Sequence, residues 1–370
     1  MNTTHTNHAP EPKLAQTLLA DMRGGDFRRT LRRDWNELKA FYLDEARQER
    51  LQQMGKFKRW FFVMWWLLKN LFFKLTPVRR LLLALSFIFL LSSHTVTFSE
   101  GNVYFSNDTK GIGFVILLFI LMLELKDKLL AQSELEAGRS VQRALMPKST
   151  PHVPGWELWL TTRPANEVGG DLVDYLELGK NRVGVALGDV AGKGLKAALL
   201  MVKLQATLRA LAADFSSLAE LGKKLNAILR RDGLPDSFIS LVYLELQADS
   251  SRVRLLNAGH LPPLILKGHK FDEMPHGAAA LGVLAETNFV EQEIDLQRNE
   301  VLLVYSDGVT EARNEAGEFF GEQRLATLLP TLAGLSATET GVRILVEIDR
   351  FVGDARAHDD LSLVVLKRVA

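Results

Sequence analysis

The pattern of apolar runs predicts an α+β fold with a mainly antiparallel sheet, carried behind an N-terminal helical transmembrane hairpin. Three observations set this expectation. Beyond Gly155, short β-branched runs alternate with turns, and the helix-forming stretches come in consecutive pairs instead of one between each two strands. Before that point, nineteen successive uncharged residues, 81–99 (LLLALSFIFLLSSHTVTFS), are long enough as a helix to cross about 30 Å of hydrocarbon. Between the two lies a charged, strongly helix-forming stretch that reads as a connector.

Taken in order, the first dozen residues (MNTTHTNHAPEP) are polar and aperiodic, and they lack the apolar core of a secretory signal. Residues 13–59 place Leu14, Leu18 and Met22, then Leu31, Trp35, Leu38 and Tyr42, at spacings of three and four. This predicts a basic, helical, cytoplasmic head over residues 1–59. Residues 60–75 hold three tryptophans, with Lys69 and Lys74 inside the run, and predict an interfacial helix. A third span is the alternative, but it would strand the basic head outside.

Within the membrane region, 60–125, the first span covers about 81–99. Residues 111–123 give thirteen apolar positions, and a second span over about 108–125 would be extended by snorkelling Lys110 and Lys126. A wholly buried helical core is the other reading of these runs. Basic residues crowd before Leu81 and recur from Lys126, so the positive-inside rule puts both ends on the cytoplasmic side of a bacterial inner membrane. The near-neutral total, 45 basic against 44 acidic residues, conceals a division: residues 1–80 carry +8 and the remainder −7. The basic head is thereby expected to meet anionic lipid. No nucleic-acid partner is expected.

Residues 126–146 read as a helical signalling linker. An apolar face through Leu125, Leu129, Leu130, Ala137, Val141 and Leu145 calls for a partner helix, and hence a homodimer; Pro147 ends it. The globular domain, 147–370, is expected to form strands near 156–163, 182–187, 238–246, 252–256, 264–267, 301–305 and 361–366. Helices are expected near 195–213, 217–230, 322–332 and 338–352.

The chemistry is bounded first by the absence of cysteine, which excludes a thiolate nucleophile, a Cys-ligated zinc, an iron–sulfur cluster and disulfides. Four acidic clusters then stand out: Glu167 to Asp171 with Asp174 close by, residues 188–194 (GDVAGKG), 306–308 (SDG) and 358–360 (HDD). In the last three, an apolar strand runs directly to or from the acid (VGVALGD, VLLVYSD, DDLSLVVL), which brings carboxylates to the rim of a sheet. Converging carboxylates need a cation, and an oxygen-only donor set suits Mg²⁺ or Mn²⁺. Two such ions could lower the pKa of a bridging water and aim it at phosphorus. Residues 192–197 (GKGLKA) with Asp214 outline a dinucleotide-binding fingerprint, but Asp214 falls between two helices and not at a second parallel strand.

The strings at 164–174 (PANEVGGDLVD), 188–194, 257–263 (NAGHLPP), 305–312 (YSDGVTEA) and 359–362 (DDLS) resemble the motifs of the PPM (type-2C) metal-dependent serine/threonine phosphatases. They are similar in particular to the bacterial branch of stage II sporulation protein E and RsbU. The resemblance covers about residues 141–369. It implies an α-β-β-α sandwich of two antiparallel sheets, with two divalent cations, Mn²⁺ or Mg²⁺, in a cleft at one end. Matched to the motifs, Asp171, Asp189, Asp307 and Asp359 would bind metal, Val190 would add its backbone carbonyl, and Asp189 would bridge the ions. Asp189 and Asp307 would be the catalytic acids. Gly192 and Gly194 match turn positions, His260 a loop-building one, and Glu167 and Asp174 supporting ones.

Eukaryotic relatives carry an arginine for phosphate four residues before the first metal-bound acid. Glu167 stands at that place here, and Arg163 or Lys193 would have to serve instead. The resemblance further implies a phosphoprotein substrate, an anti-sigma-factor antagonist. The competing reading is a scaffold that keeps the fold and only binds phosphoprotein; four intact aspartates speak against it.

Overall fold

The computed structural model describes residue 35 and residues 55–91, 96–100, 103–107, 110–147, 149–179, 181–232 and 237–370. The expected head, 1–59, lies almost wholly outside them. The chain divides into two compact units, Met1–Lys128 and Leu129–Ala370.

In the first unit, α1 (Lys56–Lys74) is followed by α2 (Pro77–Leu91), the antiparallel strands β1 (Val96–Glu100) and β2 (Val103–Asn107), and the start of α3 (Lys110–Leu145). Pro77 opens α2 at the position where a missing N–H costs nothing. A Cβ on Gly113 would lie 2.8 Å from both Leu90 and the Ser86 carbonyl, so glycine lets α2 and α3 touch. Arg79 joins the same two helices through Glu124 at 2.7 Å and Asp127 at 2.6 Å.

The expected pair of membrane spans is overturned, and with it the placement as a multi-pass inner-membrane protein. Among the described residues no helix is long and apolar enough to cross a membrane. Two causes are visible. The uncharged run 81–99 does not stay helical: α2 ends at Leu91 and is 15 residues long, about 22 Å at 1.5 Å per residue, while Val96–Glu100 forms a strand. Thr97 and Phe98 with Val96 favour an extended backbone. The second apolar run is the opening of a 36-residue helix in which Glu124, Lys126, Asp127 and Lys128 follow at once.

In the second unit, two five-stranded sheets are antiparallel throughout. The strands are β3 (Trp156–Arg163), β4 (Leu172–Glu177), β5 (Arg182–Val190), β6 (Ile239–Gln247), β7 (Arg252–Ala258), β8 (Leu264–Lys267), β9 (Lys270–Glu273), β10 (Glu291–Asp295), β11 (Val301–Tyr305) and β12 (Leu361–Arg368). One sheet runs β10-β7-β6-β5-β4 and the other β3-β12-β11-β8-β9.

Successive side chains of a strand point to opposite faces. Val185, Leu187, Val242 and Leu244 therefore meet Leu302, Val304, Val364 and Leu366 between the sheets. Ala186, Leu241 and Tyr243 face outward onto α4 (Leu195–Leu211) and α5 (Leu218–Asp232). Leu303, Tyr305, Leu363 and Val365 lie under α7 (Gly321–Leu328) and α8 (Ala337–Val352), with the single turn α6 (Asp307–Thr310) before them. Both faces of each sheet are covered, so the central strands read as unbroken apolar runs and the layers stack α-β-β-α, as expected.

Three strands escaped the pattern: β4, beginning one residue after Asp171, and the polar edge strands β9 and β10. The helix expected over 322–332 tightens at Leu329 into a 3₁₀ turn containing Pro330. A capping box between Ser336 and Glu339 starts α8. Within that helix, Gly341 presses on the Trp159 ring, which leaves no room for a Cβ.

Candidate active site

Strand register places the acids. Leu172 pairs with Gly188, which sets Asp171 beside Asp189 at one end of the first sheet. Tyr305 pairs with Leu363, and Leu361 with Arg163, which sets Asp307 beside the Asp359–Asp360 turn at the corresponding end of the second. All four predicted aspartates gather at this rim.

Their electrostatics follow from crowding and burial. Asp171 is 3% exposed, and its Oδ2 is buried with no hydrogen-bond partner. Burial first, then the charge of Asp189, pushes its carboxyl well above the ordinary range. Asp189 is pushed up to about 6 by burial and by Asp307 and Asp359. Asp307 is raised by burial and by Asp359, with the Gly308 N–H and Lys193 opposing.

Asp360, which the motif reading passed over, is the hub. Its carboxylate accepts from the backbone N–H of Ala165 at 2.7 Å, of Gly170 at 2.6 Å and of Asp171 at 3.4 Å. This ties the loop of the first motif to the second sheet. The fit explains two glycines: a Cβ on Gly169 would lie 2.6 Å from the Asp360 carboxylate, and one on Gly308 would collide with its carbonyl. Ser306 supports the turn by donating to the Asp360 carbonyl at 3.2 Å and accepting from the Ser362 N–H at 3.0 Å.

His260 is a strut between the sheets. Its Nε2 donates to the Tyr305 carbonyl at 3.0 Å, which leaves Nδ1 to accept from the Ser240 hydroxyl at 2.7 Å. Ser240 pairs with Asp189 across the sheet, and Tyr305 lies two residues before Asp307. Burial pushes the imidazole down to about 4, so it stays neutral. Asn257 holds the loop, accepting from the His260 N–H at 2.9 Å.

The remaining predicted residues separate. Lys193 reaches the acids, with Nζ 2.8 Å from Asp359 Oδ2 and 2.8 Å from the His358 carbonyl. Arg163 is instead held by Asp349 of α8 at 2.8 and 3.0 Å. Val190 ends β5, and a Cβ on Gly170 would lie 3.4 Å from its carbonyl. Glu167 pairs with Arg139 at 2.9 Å. Asp174 is fully buried, gripped by Arg209 at 2.7 and 2.8 Å and by Gln205 at 3.0 Å, so its lone pairs are spent on α4.

Sequence reasoning also missed Gln142 of α3. It is 3% exposed, and its side-chain amide donates to the Gly169 carbonyl at 2.7 Å and accepts from the Gly169 N–H at 3.1 Å. The periodicity of α3 gives one weak signal for it: Gln142 precedes the apolar Leu145 by three residues, on the face turned to the domain.

The donor chemistry suits a divalent cation: all oxygen, part buried, with an unpartnered carboxylate oxygen on Asp171. Among the described residues, however, no three acidic or histidine side chains stand close enough together to enclose an ion. Asp359 turns to Lys193 and Asp360 to backbone amides, so the acids are neighbours without forming a finished cage.

The sandwich with its acidic rim defines a type-2C phosphatase fold. The SiaA PP2C domain of Pseudomonas aeruginosa superposes with a TM-score of 0.57 at 18% identity, over 65% of this chain and 98% of that one. A structure of the RsbU and RsbW domains of a Mycobacterium tuberculosis protein gives 0.52 at 24% identity, over 61% and 63%. Among curated proteins, phosphoserine phosphatase RsbU of Bacillus subtilis is 26% identical over 239 residues, 64% of this chain and 70% of its own. Protein IcfG of Synechocystis is 27% identical over 307 residues, 73% of this chain and 48% of its own. The chain thus spans about half the length of IcfG. The family model of Stage II sporulation protein E matches residues 179–369, and the chain belongs to that family.

Proposed function

We propose that this chain is a metal-dependent protein phosphatase that hydrolyses phosphoserine or phosphothreonine on a partner protein. The observation that carries the reading is the buried, unpartnered Oδ2 of Asp171 beside Asp189, a carboxylate pair that a purely structural site would have replaced or neutralised. Asp171, Asp189, Asp307 and Asp359, with the Val190 carbonyl, would hold two ions, Mn²⁺ or Mg²⁺, and Asp189 would be shared. Such ions supply a water of lowered pKa and neutralise phosphate charge. Asp189 and Asp307 orient that chemistry from opposite sheets, and Lys193 offers an ammonium at the Asp359 edge. Arg163 is the weaker of the two cations first considered, because Asp349 already engages it.

The partner is proposed to be an anti-sigma-factor antagonist, on the strength of the resemblance to RsbU. A homodimer through α3 is supported by an uncovered stripe at Leu129, Leu130 and Val141, each more than half exposed.

The test is phosphate release by the full chain from a phosphoserine protein with Mn²⁺ or Mg²⁺, alongside the ion's effect on thermal melting. Wild type should turn over and melt higher with metal, since an ion bound only by the folded state stabilises it by mass action. Asp189→Asn should lose both effects. An inert wild type that still binds ions would favour the scaffold reading. A melt indifferent to either ion would sink the metal site.

A further inference from the structure

We propose that Arg313 grips the phosphoryl group of the substrate. This rests on the phosphatase reading above and adds a guanidinium to the Lys193 ammonium that reading offers.

The motif at 305–312 stops one residue short of Arg313. Asp307 begins α6, and six residues later Arg313 enters a tight hairpin closed by a backbone bridge to Phe319 and by Phe320 N–H donating to the Ala312 carbonyl at 2.8 Å. The hairpin is braced by its own hydrogen bonds. Asn314 Oδ1 accepts from the N–H of Ala316 at 3.0 Å and of Glu318 at 2.9 Å. Glu315 accepts from the Asp354 N–H at 3.4 Å, which pins the hairpin to the segment leading into His358 and Asp359.

On this frame the Arg313 guanidinium lies 4.6 Å from the centre of the Phe319 ring. The stack fixes its plane. Among the described residues it makes no ion pair and no side-chain hydrogen bond, and its Nε is buried without a partner. Three other cations near the rim are already engaged: Arg139 by Glu167, Arg163 by Asp349 and Lys193 by Asp359. A guanidinium with a buried, unpaired Nε–H is costly unless an acceptor arrives. Its planar fork matches two oxygens of a phosphate, which an ammonium cannot do. Arg313 also acts electrostatically on His358, the residue beside Asp359, from the same surroundings as Lys193.

The experiment uses the full chain with Mn²⁺, a phosphoserine peptide, and inorganic phosphate as product inhibitor. One charge-assisted contact is worth about 10- to 100-fold in affinity. Arg313→Gln should therefore raise both KM and the phosphate inhibition constant by about that factor, with Mn²⁺ binding by paramagnetic resonance retained. Arg313→Lys, which keeps charge and loses the fork, should fall between. Wild-type constants in an active Arg313→Gln overturn the inference. If Arg313→Gln does not fold, Arg313→Lys decides, and an unchanged phosphate inhibition constant there overturns it equally. If wild type releases no phosphate, the phosphatase reading falls by itself. Line broadening of inorganic phosphate in ³¹P NMR with the Mg²⁺-loaded protein then still tests Arg313: weaker broadening in the variants sustains it, and equal broadening ends it.

Discussion

Replacing Asp360 by alanine should destabilise the second unit far more than the same change at its neighbour Asp359. The Asp360 carboxylate, 8% exposed, accepts from two backbone N–H groups at 2.6 and 2.7 Å and from a third at 3.4 Å. A hydrogen bond to a charged group contributes about 1.5–3 kcal/mol, so the two short bonds represent roughly 3–6 kcal/mol. Against this, Asp360 also repels Asp171 and Asp189, and its removal relieves part of their strain. A relief of about 1–2 kcal/mol leaves a net loss of roughly 2–4 kcal/mol. For a unit of this size that corresponds to a drop in Tm of about 5–15 °C. Asp359 instead meets a half-exposed lysine and should contribute under about 1 kcal/mol. Differential scanning calorimetry of both variants without metal is the assay. A Tm for Asp360→Ala within about 2 °C of wild type, or above it, would refute the assignment of Asp360 as the tie between the loops.

Two further outcomes follow from other contacts. Because burial holds His260 near 4 against an ordinary 6.5, the unfolded chain takes up a proton that the folded one refuses as pH falls between those values. Its contribution is complete above about 6.5 and smaller by about 2 kcal/mol at pH 5, so His260→Gln should flatten the acid side of a urea-unfolding profile. An identical slope in the variant would contradict the neutral strut. Gln142→Ala should leave the Gly169 N–H and carbonyl unpaired at a cost of about 1–3 kcal/mol, and should speed amide hydrogen exchange at Gly169 and Gly170. Unaltered exchange there would mean that the clamp does not hold the loop.

Much of the fold was legible because the central strands carry their apolar runs straight into an acid, as at Val304–Tyr305 before Asp307 and at Leu361 after Asp360. The covering helices were equally plain, since α5 and α8 present apolar positions at three- and four-residue spacing. The edge strands β9 and β10 were not. An edge needs polar outer residues, and KFDE and EQEID show no core face. The N-terminal region misled for a different reason. Uniform lack of charge over 81–99 measures hydropathy and not conformation: within that run the helix Pro77–Leu91 ends and the strand Val96–Glu100 begins.

The sequence by itself determined the layered α+β body, the absence of thiol chemistry and the set of aspartates, because these depend on residue type and on periodicity along one strand or helix. Only the tertiary structure decided what each charged group does. Asp359 and Asp360 are adjacent and chemically identical, yet one faces Lys193 and the other anchors backbone amides; Arg163 finds Asp349, while the Arg313 Nε finds no partner among the described residues. The physical reason is that electrostatic role depends on what lies within a few ångströms. Those neighbours come from the loop after β3, the turn between β5 and α4, and α8, segments far apart in the chain; Ser362 meets Thr162 across 200 residues in the same way.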